Sequence, residues 1–331
     1  MSDSLQTGQF YGKPQRRVEL AGVVLTELKH RIGRKLPQHT HESAYFGLLI
    51  DGSYSERCSS RNAEYSPFTM GFHPPSLTHS DEVGASGSRM FCVELRDSFL
   101  NQTRPYLTAP VFVPDLCATE VTWLGLRLFR SFAKGTISAL QTQELCGDML
   151  ERVSGAALQN ELGQPAWLKR ATDLLHGCFR ESLTLDGIAQ QVQIHPIHLS
   201  RVFRKRYRCT IAEYMNRLRV QFVCRALQAG WADLGGLAAD AGFSDQSHMG
   251  RVFKLITGQT PGQFRNFLHS DRSHRLVRPS HRDVCFVLYA PLQIRQTFPP
   301  NTVRWREWHA SYFCVGNPIC RDRSSCHRKA F

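Results

Sequence analysis

Two stretches of this chain, about fifty residues apart, end alike, and the repetition restricts what the chain can build. The first runs from Ile188-Ala189 to Leu199-Ser200-Arg201-Val202-Phe203-Arg204. The second runs from Leu237-Ala238 to Met249-Gly250-Arg251-Val252-Phe253-Lys254. Each reads as a short apolar helix, a turn and a second helix with a cationic end, which is the pattern of a helix-turn-helix. Two such units in register within a basic segment point to DNA as the partner.

In the first unit Thr184 is a suitable N-cap, and Leu185, Ile188, Ala189 and Val192 form the packed stripe of a short helix. His195-Pro196 opens the next helix, with proline where its missing N–H does no harm. Leu199, Val202 and Phe203 then face inward, leaving Ile197, His198, Ser200, Arg201, Arg204 and Lys205 outside. In the second unit Asp233 caps, Leu237, Ala238 and Ala241 pack, and Gly242-Phe243 turns the chain. The outward residues there are Gln246, Ser247, His248, Gly250 and Arg251. Base edges are read by hydrogen bonds in the major groove, so a recognition helix needs an apolar back and a polar front. A helix over about 212–229 joins the units, and its Tyr214, Leu218, Phe222 and Leu227 are placed to pack against both.

Charge follows the same division. The net charge of +13 is distributed as −1 over residues 1–164, +7 over 165–270 and +7 over 271–331. A basic segment suits a polyanion. Residues 1–10 lack the basic start and apolar run of a signal peptide, and no run approaches the length of a membrane span. The 11 cysteines show no zinc-finger or C-x-x-C spacing, so they read as reduced thiols in a cytoplasmic protein without membrane partners.

Residues 15 to about 110 read as β. Apolar runs such as 45–50 and 90–95 are punctuated by Asp51-Gly52, Pro74-Pro75 and Gly84 to Gly87. Short strands at regular spacing predict a sandwich or small barrel. Pro110 and Pro114 then break the chain. A helical pattern follows over 120–158, with Trp123, Leu124, Leu128 and Phe132 on one face and Leu140, Leu145 and Met149 on another. Gly163-Gln164-Pro165 reads as a linker. Beyond Ser270 the chain turns to Arg, Pro, Cys and His without periodicity, which predicts a disordered tail over 271–331.

The stretch from Ala241 to Lys254 (AGFSDQSHMGRVFK), followed by Gly258-Gln259-Thr260-Pro261-Gly262-Gln263-Phe264-Arg265, closely resembles the signature of the AraC/XylS family of bacterial transcription regulators. That resemblance covers residues 167–268. It implies a bihelical domain that binds promoter DNA through two adjacent helix-turn-helix units. Base contacts would then fall to Ile197, Ser200 and Arg201, and to Gln246, Ser247, Gly250 and Arg251, with His198, Arg204 and His248 candidates by exposure. The chain departs from the family at Arg208, where a glycine usually ends the first recognition helix. A left-handed helix end is harder without glycine. Gly235-Gly236 is a second departure, since each glycine inside a helix costs about 1 kcal/mol relative to alanine.

Gly33, His39-Thr40-His41, Tyr45 and Gly52 stand at the spacing of the first cupin motif, and Pro74 to His79 follows as a looser second. The N-terminal region thus looks like the cupin-like β-barrel of AraC-type sensors. In metal cupins three histidines and a glutamate converge on the metal, but here Tyr45 replaces the glutamate. Three histidines could still hold zinc. The reading adopted is an effector pocket formed by His39, His41, Tyr45 and His79, with no metal and no cofactor, and the alternative to it is a purely structural barrel.

The chain is therefore expected to be a multidomain α+β protein. It would have a cupin-like sensor (1–110), a helical connector that can dimerise (111–164), an all-α double helix-turn-helix (165–270) and a tail (271–331). Its expected partners are promoter DNA, RNA polymerase, a small-molecule effector and a second copy of itself. The rival is a metal-dependent cupin enzyme fused to a DNA-binding module.

Overall fold

The computed structural model describes residues 3–58, 61–103, 119–161 and 164–270. These fall within a single unit, Met1–Pro291. The tail expected over 271–331 and the breaks at Pro110 and Pro114 lie outside the described residues.

Eight strands form one sheet: β1 (Asp3–Leu5), β2 (Lys13–Leu20), β3 (Val23–His30), β4 (Lys35–His41), β5 (Ala44–Cys58), β6 (Arg61–Tyr65), β7 (Met70–His73) and β8 (His79–Leu95). β8 organises it. Along one edge β8 pairs antiparallel with β3 and then β4, and along the other with β5, which also carries β6 and β7. The region starts and ends earlier than expected. β1 is recruited by parallel pairing with β4, and Asp97–Thr103 is already a helix, α1. The turn signals at Asp51-Gly52 and Gly84 to Gly87 do not end strands. They lie inside β5 and β8, where the ladder shifts register between Leu49 and Asp51 and between Gly52 and Tyr54. Gly52 is needed at such a bulge because its φ is +86° and a Cβ would run into the Gly87 carbonyl.

Side chains alternate across a strand, so the sheet has two different faces. Val23, Leu25, Phe46, Leu48, Phe91 and Val93 form an apolar face. Leu28, Leu49, Met90 and Cys92 lie in a smaller cluster with Tyr65. Helices cover the first face. α2 (Glu120–Lys134) lays Phe129 and Phe132 on Phe91 at 5.3 and 5.1 Å between ring centres, and α3 (Ala139–Glu161) packs on α2. The stripe Trp123, Leu124, Leu128 and Phe132 is thus buried, as are Leu145 and Met149. Leu140, expected on the same face as those two, is 65% exposed.

The remaining helices are α4 (Ala166–Cys178), α5 (Leu185–Val192), α6 (Pro196–Tyr207), α7 (Ile211–Gln228), α8 (Leu234–Asp240), α9 (Gln246–Thr257) and α10 (Pro261–Ser270). α7 takes part in two cores. Tyr214, Met215 and Leu218 join the core of α4–α6. Phe222, Val223 and Leu227 join the core of α8–α10, which is continuous with the sheet, α2 and α3. Polar contacts mark the same junction: Gln221 Nε2 donates to Phe68 O (2.7 Å), Arg225 Nε to Pro67 O (2.9 Å) and Gln228 Nε2 to Ile50 O (2.6 Å).

The chain ahead of β2 is tied to the sheet by Glu94, a buried residue whose two carboxyl oxygens accept from Gly8 N–H, both at 2.9 Å. Burial pushes this carboxyl up to about 7 from its ordinary 4.5, against the Gly8 hydrogen bond and the nearby Arg17. A carboxyl raised on folding contributes stability that is fully present below its unfolded value and is lost as pH rises through the folded one. The parent is therefore expected to lose stability relative to Glu94→Gln between about pH 4.5 and 7, read by urea denaturation across that range. A parent-to-variant difference independent of pH would show that the carboxyl is ionised throughout.

Candidate nucleic-acid interface and buried histidine cluster

The two helix pairs, α5–α6 and α8–α9, repeat in three dimensions. In the first, Thr184 caps α5 by accepting from Gly187 N, and Pro196 stands in the first turn of α6 after His195. In the second, the Asp233 carboxylate caps α8 by accepting from Gly235 N (2.9 Å) and Gly236 N (3.1 Å). A Cβ on Gly236 would press on that carboxylate, so the glycine expected to weaken α8 makes room for its cap. Gly242, at φ +81°, turns the chain against the Arg180 carbonyl, where a Cβ would clash. α6 and α9 are both 12 residues long, and Arg201 and Arg251 are the sixth residue of each.

Both helices end left-handed, at Arg208 (φ 54°) and Gly258 (φ 74°), whose N–H groups bond Arg204 O and Lys254 O. The helices that follow begin alike. Thr210 and Glu213 form a capping box, and Thr260 and Gln263 exchange the equivalent bonds. This T-x-x-E/Q extension of the repeat was readable in the sequence and was missed.

Ile197 (73% exposed), His198, Arg201, Arg204 and Lys205 stand out from α6, with Ser200 half-buried. Ile197, Ser200, Arg201, Arg204 and Lys205, with Leu185 and Arg208, line a shallow concavity that no acidic residue lines. His198 Nδ1 lies 3.3 Å from Arg201 Nη2, so these two expected contacts touch each other. On α9, Gln246, Ser247 and Arg251 are exposed. Gly250 leaves open space where a side chain would stand. His248 differs from expectation in being half-buried. Its ring lies edge-on to Phe243 and bonds Ser244 Oγ at 3.0 Å, while its N–H bonds the Asp245 cap.

The other cluster lies in the sheet. β4 supplies His39 and His41, β8 supplies His79 and Asp81, and β5 supplies Tyr45 and Glu56, all buried. The expected set His39, His41, Tyr45 and His79 is brought together. Donor atoms of His39, His41 and His79 all lie within 4.8 Å of one another, as do those of Glu56, His73 and His79. Tyr45 stacks flat on His73 (4.3 Å between centres) and its hydroxyl donates to His79 Nε2 at 3.3 Å. The sequence reading missed Glu56, His73 and Asp81. Glu56 takes both oxygens to His73 Nε2 at 2.9 Å and accepts from Tyr65. Asp81 Oδ2 stands 3.7 Å from His39 Nε2 and 3.9 Å from His79 Nε2.

Burial, with the neighbouring imidazoles, holds His41 down at about 2 and His79 at about 4, so both are neutral at pH 7. Burial and the Glu56 charge push Asp81 up to about 8, partly offset by the Tyr54 hydroxyl. Burial also raises Glu56, but His73, then His79 and Tyr65, outweigh it and hold that carboxyl at about 2. The adjoining cavity has a volume of about 20 Å³, and Phe10 and Tyr11 help to line it. That is room for about one water molecule or ion.

Residues 188–266 match a helix-turn-helix domain family model. The chain is 29% identical over 108 residues to the bifunctional transcriptional activator/DNA repair enzyme AdaA of Bacillus subtilis, covering 33% of this chain and 51% of that protein. It therefore spans about half of that relative's length. It is 32% identical over 85 residues to the probable transcription factor PqrA of Proteus vulgaris, covering 26% of this chain and 70% of that one. A longer match, 23% identical over 228 residues, covers 66% of this chain and 82% of the uncharacterized HTH-type transcriptional regulator YbfI of Bacillus subtilis.

The departure at Arg208 is a strained helix end, since the residue holds the left-handed conformation itself. That conformation costs a non-glycine residue roughly 1–2 kcal/mol. Arg208→Gly is thus expected to stabilise the fold by about 1 kcal/mol, less the entropy that glycine adds to the unfolded chain. Chemical denaturation measures this. A variant less stable than the parent would mean that the arginine side chain contributes more than its backbone strain costs.

Proposed function

The chain belongs to the AraC/XylS family of transcription regulators, and from that premise we propose that residues 165–270 bind promoter DNA through two helix-turn-helix units placed in successive major grooves. The observation that carries the reading is the pair of equal helices, α6 and α9, each with an exposed arginine at its sixth position and a left-handed end. Ile197, Ser200, Arg201 and Arg204 would read one block of bases, and Gln246, Ser247, Gly250 and Arg251 the other. His198 acts through its contact with Arg201, and His248 helps hold the start of α9. Ile197 offers an apolar contact of the kind that thymine methyl groups accept.

Residues 1–110 act as a cupin-like sensor whose effector site is centred on His39, His41, Tyr45 and His79. Residues 111–164 connect it to the reader and supply a dimer contact, for which the exposed Leu140 on α3 is available. RNA polymerase is the further partner of a regulator at a promoter, and the cytoplasm is its compartment. Among the described residues no helix is long and apolar enough to cross a membrane. The cavity of about 20 Å³ is far below the roughly 300–1,000 Å³ that an organic ligand commonly needs, so the volume speaks equally against a bulky effector and against the organic substrate of a cupin enzyme.

Both readers lie in one chain and follow each other in tandem, so one subunit should recognise an asymmetric site with two blocks about 10 bp apart. Loss of a bidentate arginine–guanine contact costs about 1–3 kcal/mol and relaxes preference at that base. Binding-site selection with Arg201→Ala is expected to blur one block, and with Arg251→Ala the other. If both variants blurred the same block, or lost affinity equally for all sequences, the two-reader assignment would fail.

A further inference from the structure

Building on the sensor reading of residues 1–110, we propose that His39, His41, His79 and Asp81 bind one divalent transition-metal ion of the zinc class, so that the ligand sensed at this site is a metal ion. The expectation of an effector pocket without metal rested on Tyr45 occupying the carboxylate position. The fold supplies a carboxylate from elsewhere, two residues beyond His79 on β8.

The histidines are already oriented. His39 Nδ1 bonds the Pro37 carbonyl at 2.9 Å, and His79 Nδ1 bonds the Leu77 carbonyl at 3.1 Å, the same i−2 arrangement in both. A carbonyl can only accept, so the proton of each ring sits on Nδ1 and the lone pair on Nε2. Backbone carbonyls commonly orient metal-ligating histidines in this way. Both Nε2 atoms then approach Asp81 Oδ2 at 3.7 and 3.9 Å, beyond hydrogen-bond reach. Lone pairs that converge on a carboxyl group repel unless a proton or a cation lies between them. Ligand atoms about 2.1 Å from a tetrahedral zinc ion lie about 3.4 Å apart, so small side-chain movements would close the site.

Satisfaction of polar atoms gives an independent argument. His41 Nδ1 is buried without a hydrogen-bond partner, and neither Asp81 oxygen has one at full hydrogen-bond geometry, the Tyr54 hydroxyl being its nearest donor. Such atoms are costly unless something binds them. The adjoining cavity of about 20 Å³ admits an ion and excludes most organic effectors. Three imidazoles with one carboxylate suit zinc, cobalt, nickel or iron, whereas magnesium and calcium prefer oxygen ligands. The ion would clamp β4 to β8 where their ladder is irregular, between Leu36 and His39. β1 pairs with β4 at His39 to His41, and the Phe10 and Tyr11 rings lie on His41 and His39. Metal occupancy would therefore order the N-terminal residues of the sensor.

The test uses the full chain, stripped with a chelator and titrated with Zn²⁺ and, separately, Co²⁺. Bound metal is measured by elemental analysis, coordination by cobalt visible absorption and stability by thermal denaturation. The parent is expected to bind one equivalent more than His39→Ala/His41→Ala, with a raised Tm. Asp81→Asn, close in shape to the parent, should weaken that equivalent at least about tenfold, by the scale on which metal-site partners act. Tyr45→Phe, which removes the hydroxyl competing for His79, should keep it. Equal binding by the parent, the double variant and Asp81→Asn would place the metal elsewhere and overturn the proposal, as would absence of binding by the parent at micromolar metal. If the double variant does not fold, Asp81→Asn decides. DNA binding by the same samples separates the two readings. Specific DNA binding without metal uptake would reject the metal site and leave the regulator. Site-specific metal uptake without DNA binding would do the reverse.

Discussion

One helix has to satisfy two cores. The N-terminal half of α7 packs Tyr214 and Leu218 among α4–α6, and its C-terminal half packs Phe222 and Leu227 in the core that runs on into the sheet. The junction is sealed by Gln221, a buried amide whose Nε2 donates to the Phe68 carbonyl. An unpaired amide at such a depth would be expensive, so the bond specifies how α7 meets the sheet. Phe68 is itself fully buried and held at φ 62°, a conformation rare for a bulky residue. It persists because its N–H bonds Leu49 O, its carbonyl accepts from Gln221 and its ring meets Phe264. The strained residue thus touches the sheet, α7 and α10 together.

The two helix pairs, α5–α6 and α8–α9, are consequently not equivalent in their surroundings, although α6 and α9 match in length and in their left-handed ends. The second unit shares its core with the sheet and α2. The first has a core of its own, connected through the N-terminal half of α7. A change in the sheet around Phe68 therefore reaches the second unit directly and the first only along the axis of α7. This asymmetry is a property of packing, and the near-identity of the two repeats does not hint at it.

The sheet itself divides by alternation. Phe46 and Leu48 point into the helix-covered face, while Tyr45 and Leu49 point the other way. The first face needs only apolar area. The second brings together four imidazoles and two carboxylates, where neutral histidines tolerate burial and the carboxylates must be paired, protonated or bound. Glu56 is paired with His73. Asp81 has only the longer approaches of His39 and His79, at 3.7 and 3.9 Å, and the Tyr54 hydroxyl.

The sequence alone determined the repeat, the caps at Thr184 and Asp233, the inward and outward residues of α6 and α9, and the identity of the helix that joins them. Those features are local: helical periodicity and end signals operate over a few residues, and the second copy checks the first. The apolar stripe of α2 was legible for the same reason. The sequence did not determine β1, the bulges at Asp51-Gly52 and Gly84 to Gly87, or the grouping of Glu56, His73 and Asp81 around His79. Strand pairing joins residues far apart in the chain, so Glu56, 23 residues before His79, could reach it only once β5 and β8 were in register. Nor could sequence reveal that α7 would rest on Phe68. That contact depends on a backbone conformation that no local preference favours, and only the packed tertiary structure holds it there.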